Sequence, residues 1–368
     1  MHMGNRFSGF AACVGVVVAL GAPVLAHKPI TSKYTYNSDV YPIFKARCGQ
    51  CHVAGGPAPM SLLNYKDAIP WAESIREELV AEKMPPSFVD PFGPPVKGAG
   101  HLISPKELDT IITWATGGTP EGDVGKRPGS VAASHGWPMG PPDAIIAMPA
   151  DHIVPETVQE ETAEIALDTG FTEARTVKAA DLLPGDAAIV RDATIAVENG
   201  PVLSAWVPGE PAAMPPDGAG FVVPAGARLR LRIHYKKGWQ DERTAKKDRS
   251  RVGLYFAANA GVRGIESLAL NDRTRGSVSV VAVRPRLDRP YASLDVDAVL
   301  SDGSKVPLLR LSHPRPEWPR RYWLEKPIEL PAGAVIQVAT TPLPADPDEP
   351  VKAPVGALEA AVEFVATH

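Results

Sequence analysis

Two cysteines and a histidine in the run Cys48-Gly49-Gln50-Cys51-His52 carry the clearest chemistry of this sequence. C-x-x-C-H is the attachment signature of a c-type haem, in which both thiols add to the vinyl groups and the following imidazole reaches the iron. A redox thiol pair or half of a zinc site uses the same C-x-x-C spacing. The histidine, together with the export signal described below, favours one covalent haem c, bound through Cys48, Cys51 and His52.

A sixth iron ligand must come from the other side of the porphyrin, and thioether sulfur or imidazole are the usual donors. Met84 is the expected ligand, because Pro85-Pro86 behind it fix the following backbone and push Met84 toward an extended conformation. Met60 and His101 are the alternatives, and a five-coordinate iron with Met84 as pocket wall is a further one.

Helices must position these groups. Asn37 or Ser38 is placed to cap a helix carrying Val40, Ile43 and Phe44 toward the haem motif, and Trp71, Ile75 and Leu79 recur at four-residue spacing in a second. The third has the strongest signal. Ser104-Pro105-Lys106-Glu107 combines an N-cap, a first-turn proline and a capping-box glutamate, and Gly117-Gly118 stops the apolar face of Leu108, Ile111, Ile112 and Ala115.

The N-terminus indicates the compartment. Arg6 is the only charge before the apolar run Ala11 to Leu25, and Val24-Leu25-Ala26 fits a cleavage site, so residues 1-26 read as a signal peptide. Cleavage of the 368-residue chain leaves 342 residues with 37 basic and 42 acidic side chains, a formal charge of −5. Cys13 leaves with the signal, so the mature chain has no cysteine to spare for a structural disulfide. No later apolar run approaches spanning length, and the acidic balance gives no sign of nucleic acid. The expectation is a periplasmic protein with no membrane span in the mature chain.

The mature length suits more than one domain. Residues 27-125 read as a class I cytochrome c domain and 126-142, rich in glycine and proline, as a linker; residues 143-260 and 261-368 read as two β-sandwich domains of jelly-roll type. The fold class expected is therefore multidomain, α plus all-β. Leu229, Leu231, Ile233 and Tyr235 alternate with Arg228, Arg230, Arg232 and His234, as do Leu294, Val296, Ala298 and Leu300 with their neighbours before the Asp302-Gly303 turn. A faint repeat joins the halves: Val223-Pro224-Ala225-Gly226-Ala227 returns as Leu330-Pro331-Ala332-Gly333-Ala334.

With these motifs in view, the chain resembles a class I cytochrome c fused to the double sandwich of the copper type II, ascorbate-dependent monooxygenases such as peptidylglycine hydroxylating monooxygenase. The resemblance rests on Lys33-Tyr34-Thr35-Tyr36-Asn37, the Cys48 to His52 run, Gly55-Gly56-Pro57-Ala58-Pro59, Met84-Pro85-Pro86 and Trp114-Ala115-Thr116-Gly117-Gly118. In the second half it rests on Trp206-Val207-Pro208-Gly209, Pro224-Ala225-Gly226, Ile233-His234-Tyr235 and the Asp302-Gly303 hairpin. It implies two copper centres held by histidines and a methionine. Where the family pattern has a His-His pair this chain reads Arg191-Asp192, and where it has His-x-His it reads Arg286-Leu287-Asp288.

Copper is therefore not expected, and Arg191 with Asp192 and Arg286 with Asp288 are expected to fill the former metal pockets as ion pairs. His234 alone stands at a matching position and reads as a half-exposed strand histidine. His135, His152, His313 and His368 are scattered and read as solvated or capping residues. The favoured function is one-electron transfer to an unidentified redox partner protein, with the β half as docking scaffold. The alternatives are a copper monooxygenase or other oxidoreductase fed by the haem, and a haem-based sensor.

After dialysis against cupric salt and then against a weak chelator, the protein is expected to retain no copper by elemental analysis and electron paramagnetic resonance. A retained type II copper that disappears in His234→Ala would establish the monooxygenase alternative.

Overall fold

The computed structural model describes residues 31–86, 88–98, 103–133, 136–210, 214–257, 262–344 and 356–367. The expected signal peptide and His101, His135 and His368 lie outside these residues. Among the described residues no helix is long and apolar enough to cross a membrane.

The helices are short. They are α1 (Tyr41–Arg47), α2 (Tyr65–Ala68), α3 (Ala72–Val80) and α4 (Pro105–Thr116). α1 carries a first-turn proline and follows one π-turn, Tyr36–Val40, preceded by Thr35. Asn37 does not cap it, because its amide donates to the Asp123 carbonyl at 2.9 Å. α4 forms the capping box its sequence specifies: Ser104 Oγ accepts from the Glu107 amide at 3.3 Å, and Glu107 accepts from the Ser104 amide at 2.8 Å. Its buried Ile111 and Trp114 pack with Tyr36, Val40, Phe44, Leu62, Leu63, Ile75 and Leu79 in one apolar cluster.

Strands dominate the rest, in four sheets of three or more strands and one two-stranded ribbon. The alternating segment Arg228–Lys236 is central in its sheet, with Leu229, Leu231, Ile233 and Tyr235 fully buried. It pairs on one side with Glu160–Asp168 and on the other with Val190–Val197. The repeated Pro-Ala-Gly-Ala segments are the turns that lead into Arg228–Lys236 and Val335–Pro342, where Gly226 and Gly333 take φ of +68° and +87°. Glycine is suited to both positions because L side chains are disfavoured there.

The expected architecture of a helical class I cytochrome c domain followed by two β-sandwich domains needs correction. The molecule is mostly β, with 39% strand and 15% helix; the two β halves share a core, and although the helical region has a cluster of its own, part of it enters the C-terminal core. The core built from the sheets around Arg228–Lys236 and Arg175–Leu183 also takes in Ile265, Val281, Ala282, Trp323 and Val365 from the C-terminal half. Phe88 and Val96, N-terminal to α4, are buried in the C-terminal core beside Val280, Leu294, Leu309 and Ile336.

The physical reason lies in strand Val278–Arg286. Val278, Val280 and Val283 belong to one core and Val281 and Ala282 to the other, so the strand is covered on both sides, with a register shift between Val280 and Ala282. Such a strand reads as a continuous apolar run and carries no alternation to mark a boundary.

Residues 88–97 tie the helical region to this C-terminal core. Val89 bridges Leu311 and Val96 bridges Leu324; the Ser312 amide donates to Phe88 O at 2.7 Å and the Lys97 amide to Trp323 O at 2.7 Å. Phe88→Ala leaves a void where its ring fills the C-terminal core, and is expected to lower the stability of the full chain by about 3 kcal/mol. Urea unfolding followed by tryptophan fluorescence checks this, and a change below about 0.5 kcal/mol would show that the segment only lies on the surface.

Candidate redox site

The C-x-x-C-H run begins where α1 ends. The amides of Cys48 and Gly49 donate to Phe44 O at 2.9 and 2.7 Å, and those of Cys51 and His52 donate to Cys48 O at 3.1 and 2.9 Å. These turns gather both thiols and the imidazole at one end of the helix. Gly56 is required close by, since a β-carbon there would lie 2.5 Å from the Cys51 carbonyl.

Both cysteines are free and half-buried. Burial pushes the Cys48 thiol up to about 12 and the Cys51 thiol up to about 11, so both stay protonated at neutral pH. Burial also lowers the pKa of His52, which favours the neutral ring that binds metal. Its Nδ1 lies 3.3 Å from the Met60 carbonyl. A carbonyl only accepts, so Nδ1 carries the proton and Nε2 keeps its lone pair.

Met84 follows α3, with its amide donating to Glu78 O at 3.2 Å and a cis peptide bond to Pro85. Cys48, Met60, Met84, Ile103 and Leu108 all pack against the apolar cluster of the helical region. The structure thus brings Cys48 and both candidate methionines onto one cluster, while the Cys51 thiol faces Pro208 and Gly209 of the β half. That donor set, two thiols, an imidazole nitrogen and soft thioether sulfur on an apolar surface, fits a haem.

Sequence reasoning missed the wall that the β half supplies to this site. Cys51 Sγ lies 3.4 Å from Pro208 O, and Arg191 Nη1 donates to Pro57 O in the loop after the motif. Gly209 takes φ of +78°, and a β-carbon there would stand 2.9 Å from Cys51 Sγ. Glu210 forms an ion pair with Arg320 beside the same thiol. The expected linker also touches the motif, with Ala132 bridging Ala54 and the Ala133 amide donating to Ala54 O at 3.0 Å. Trp206-Val207-Pro208-Gly209 stood out in the sequence as a motif, but nothing in it marks which surface it meets.

The positions where the resemblance implies copper ligands are occupied differently from the expectation. Arg191 points to the haem-motif loop, while Asp192 accepts from His234 Nδ1 at 2.8 Å. Arg286 lies 3.7 Å from Glu359, and Asp288 bonds Arg289 at 3.0 Å and the Tyr291 hydroxyl at 2.6 Å. Neither expected ion pair forms. His234 Nε2 meets Glu160 at 2.9 Å, so each ring nitrogen faces a carboxylate. Among the described residues no group of three or more His, Cys, Asp and Glu has an arrangement that could hold a metal ion. His152 and His313 form pairs with Glu161 and Glu82, both at 2.8 Å, instead of standing solvated.

No family model matches the chain, and no curated protein matches it. Among solved structures, the crystal structure of the STIV MCP matches 61% of this chain and 94% of its own at 9% identity and a TM-score of 0.22. A Paenibacillus xanthan lyase matches 66% of this chain and 28% of its own at 12% identity and a TM-score of 0.15. Similarity at these TM-scores does not establish a shared fold.

His234 gives this region a pH dependence. The hydrogen bond that His234 donates to Asp192 raises its pKa, against the effect of burial, and Glu160 adds to the rise. A raised folded pKa means that the imidazolium stabilises the fold fully below the unfolded value of about 6.5, and that this contribution is lost as pH rises through the folded value. His234→Gln is expected to cost about 1.5 kcal/mol at pH 6 and progressively less above neutrality. Urea midpoints of both proteins between pH 6 and 9 check this; a constant difference would mean that folding does not shift the His234 pKa.

Proposed function

We propose that this chain is an exported one-electron carrier with a single haem attached to Cys48 and Cys51, and that the β half is the scaffold presenting it to a redox partner. The observation that carries this reading is the placement of Cys48 and the Met84 thioether on one apolar cluster, with Cys51 and His52 on the turn that follows Cys48 and the His52 Nδ1 held at the Met60 carbonyl. The N-terminal sequence supports a periplasmic location. When bound, the haem supplies a reversible ferric/ferrous couple.

The chain's own residues do the rest. Cys48 and Cys51 would hold the group by two thioether bonds, and the Met60 carbonyl fixes the His52 tautomer so that Nε2 keeps a lone pair it could give to the iron. Met84 would supply a soft thioether donor to the iron, which would favour the ferrous state. Tyr36, Phe44, Leu62 and Trp114 form the buried aromatic and aliphatic core beneath the site. Electron exchange then demands little rearrangement of the protein.

The protein made with a c-type maturation system is expected to keep its haem after denaturation and extraction with acidic organic solvent. Cys48→Ala and Cys51→Ala should each weaken that retention, and haem released from the unmutated chain would end the proposal. Met84→Ala should abolish the far-red sulfur-to-iron band of the ferric protein and lower its potential. If Met60→Ala does so instead, the ligand is Met60.

A further inference from the structure

We infer that Arg191 is a positioning residue for the redox group, placed by the β half so that its cation closes the C-x-x-C-H edge and favours the reduced state. The inference rests on the function proposed above. Arg191 lies on strand Val190–Val197, far in sequence from the motif, and its guanidinium donates to the Pro57 carbonyl in the loop that follows His52. Among the described residues it forms no ion pair, and its field reaches Cys51.

Arg320, the other cation beside Cys51, is neutralised by Glu210. Among the described residues Arg191 has no such direct partner; the fields of Asp186 and Glu160 reach it without an ion pair, so its charge is only partly offset on this side of the motif. Ferric iron that takes up one electron loses one unit of positive charge, so a fixed cation nearby favours the ferrous form. Its effect is strong only where water is kept out, and Pro208-Gly209 provide that cover. Gly209 comes so close to Cys51 Sγ that no side chain fits between them. It follows that a redox partner meets the haem from another edge.

The test uses the full chain with haem attached and reads the reduction potential by spectroelectrochemical titration with one-electron mediators. Arg191→Met should shift the ferrous/ferric equilibrium about tenfold toward ferric, close to 59 mV for a one-electron couple. Arg191→Lys, which keeps the charge, should recover most of the original value. Glu210→Gln unmasks the Arg320 cation and should shift the potential in the opposite direction. If Arg191→Met does not fold, as judged by circular dichroism, Arg191→Gln, which removes the charge and keeps an amide donor, takes its place and should shift the potential in the same direction. Covalent haem with a potential that neither variant moves in these directions overturns this inference and leaves the proposed function standing. Haem released from the unmutated chain removes both.

Discussion

The burial of strand Val278–Arg286 on both sides is the constraint on which the rest of the molecule depends. A strand covered on one side can end a unit; one covered on both sides joins two. Its neighbour Tyr322–Leu330 carries Trp323 into one core and Leu324 into the other. Arg320 and Arg321 just before that strand are thereby held at the junction. The Lys97 amide bonds Trp323 O, and Arg320 reaches Glu210 in the turn against Cys51. The register of one strand in the C-terminal half thus helps place the wall of a site at residues 48–52.

Arg321 shows how polar atoms are accommodated at this junction. Its guanidinium lies over the rings of Phe221 and Trp323, 4.8 and 5.2 Å from their centres, and its Nε meets Glu363 at 2.6 Å. Its terminal nitrogens donate to the carbonyls of Leu203 and Val202, so one side chain links strands from both halves. An ion pair so deeply buried gains little net stability after desolvation. Its consequence is geometric: an unpaired Glu363 or Arg321 would be costly here, so alternative packings of the halves are disfavoured. Arg284, 3.3 Å from the same glutamate, adds a second cation to the cluster.

Local signals were legible wherever neighbouring residues decide the structure. The α4 capping box, the inward set Leu229, Leu231, Ile233 and Tyr235, and the two Pro-Ala-Gly-Ala turns all follow from interactions within a few residues. The fold class was misread because Phe88, Val96, Val281 and Trp323 look like ordinary local core residues, and nothing in the sequence says which core they enter. The Arg191–Asp192 pair failed for a related reason. The strand register shifts between Val190 and Asp192, so Arg191 is left without a partner opposite it and turns to the loop after His52, while Asp192 lies opposite His234.

The sequence by itself determined that Cys48, Cys51 and His52 lie together, because a spacing of four positions is brought together by one turn of backbone. It also determined the candidate ligand Met84 and the periodicity of the strands. Only the tertiary structure decided that Pro208, Gly209, Glu210, Arg191 and Arg320 surround Cys51. Those contacts span more than a hundred residues of chain and depend on how sheets pack, and packing is a matter of shape and volume that no local pattern records.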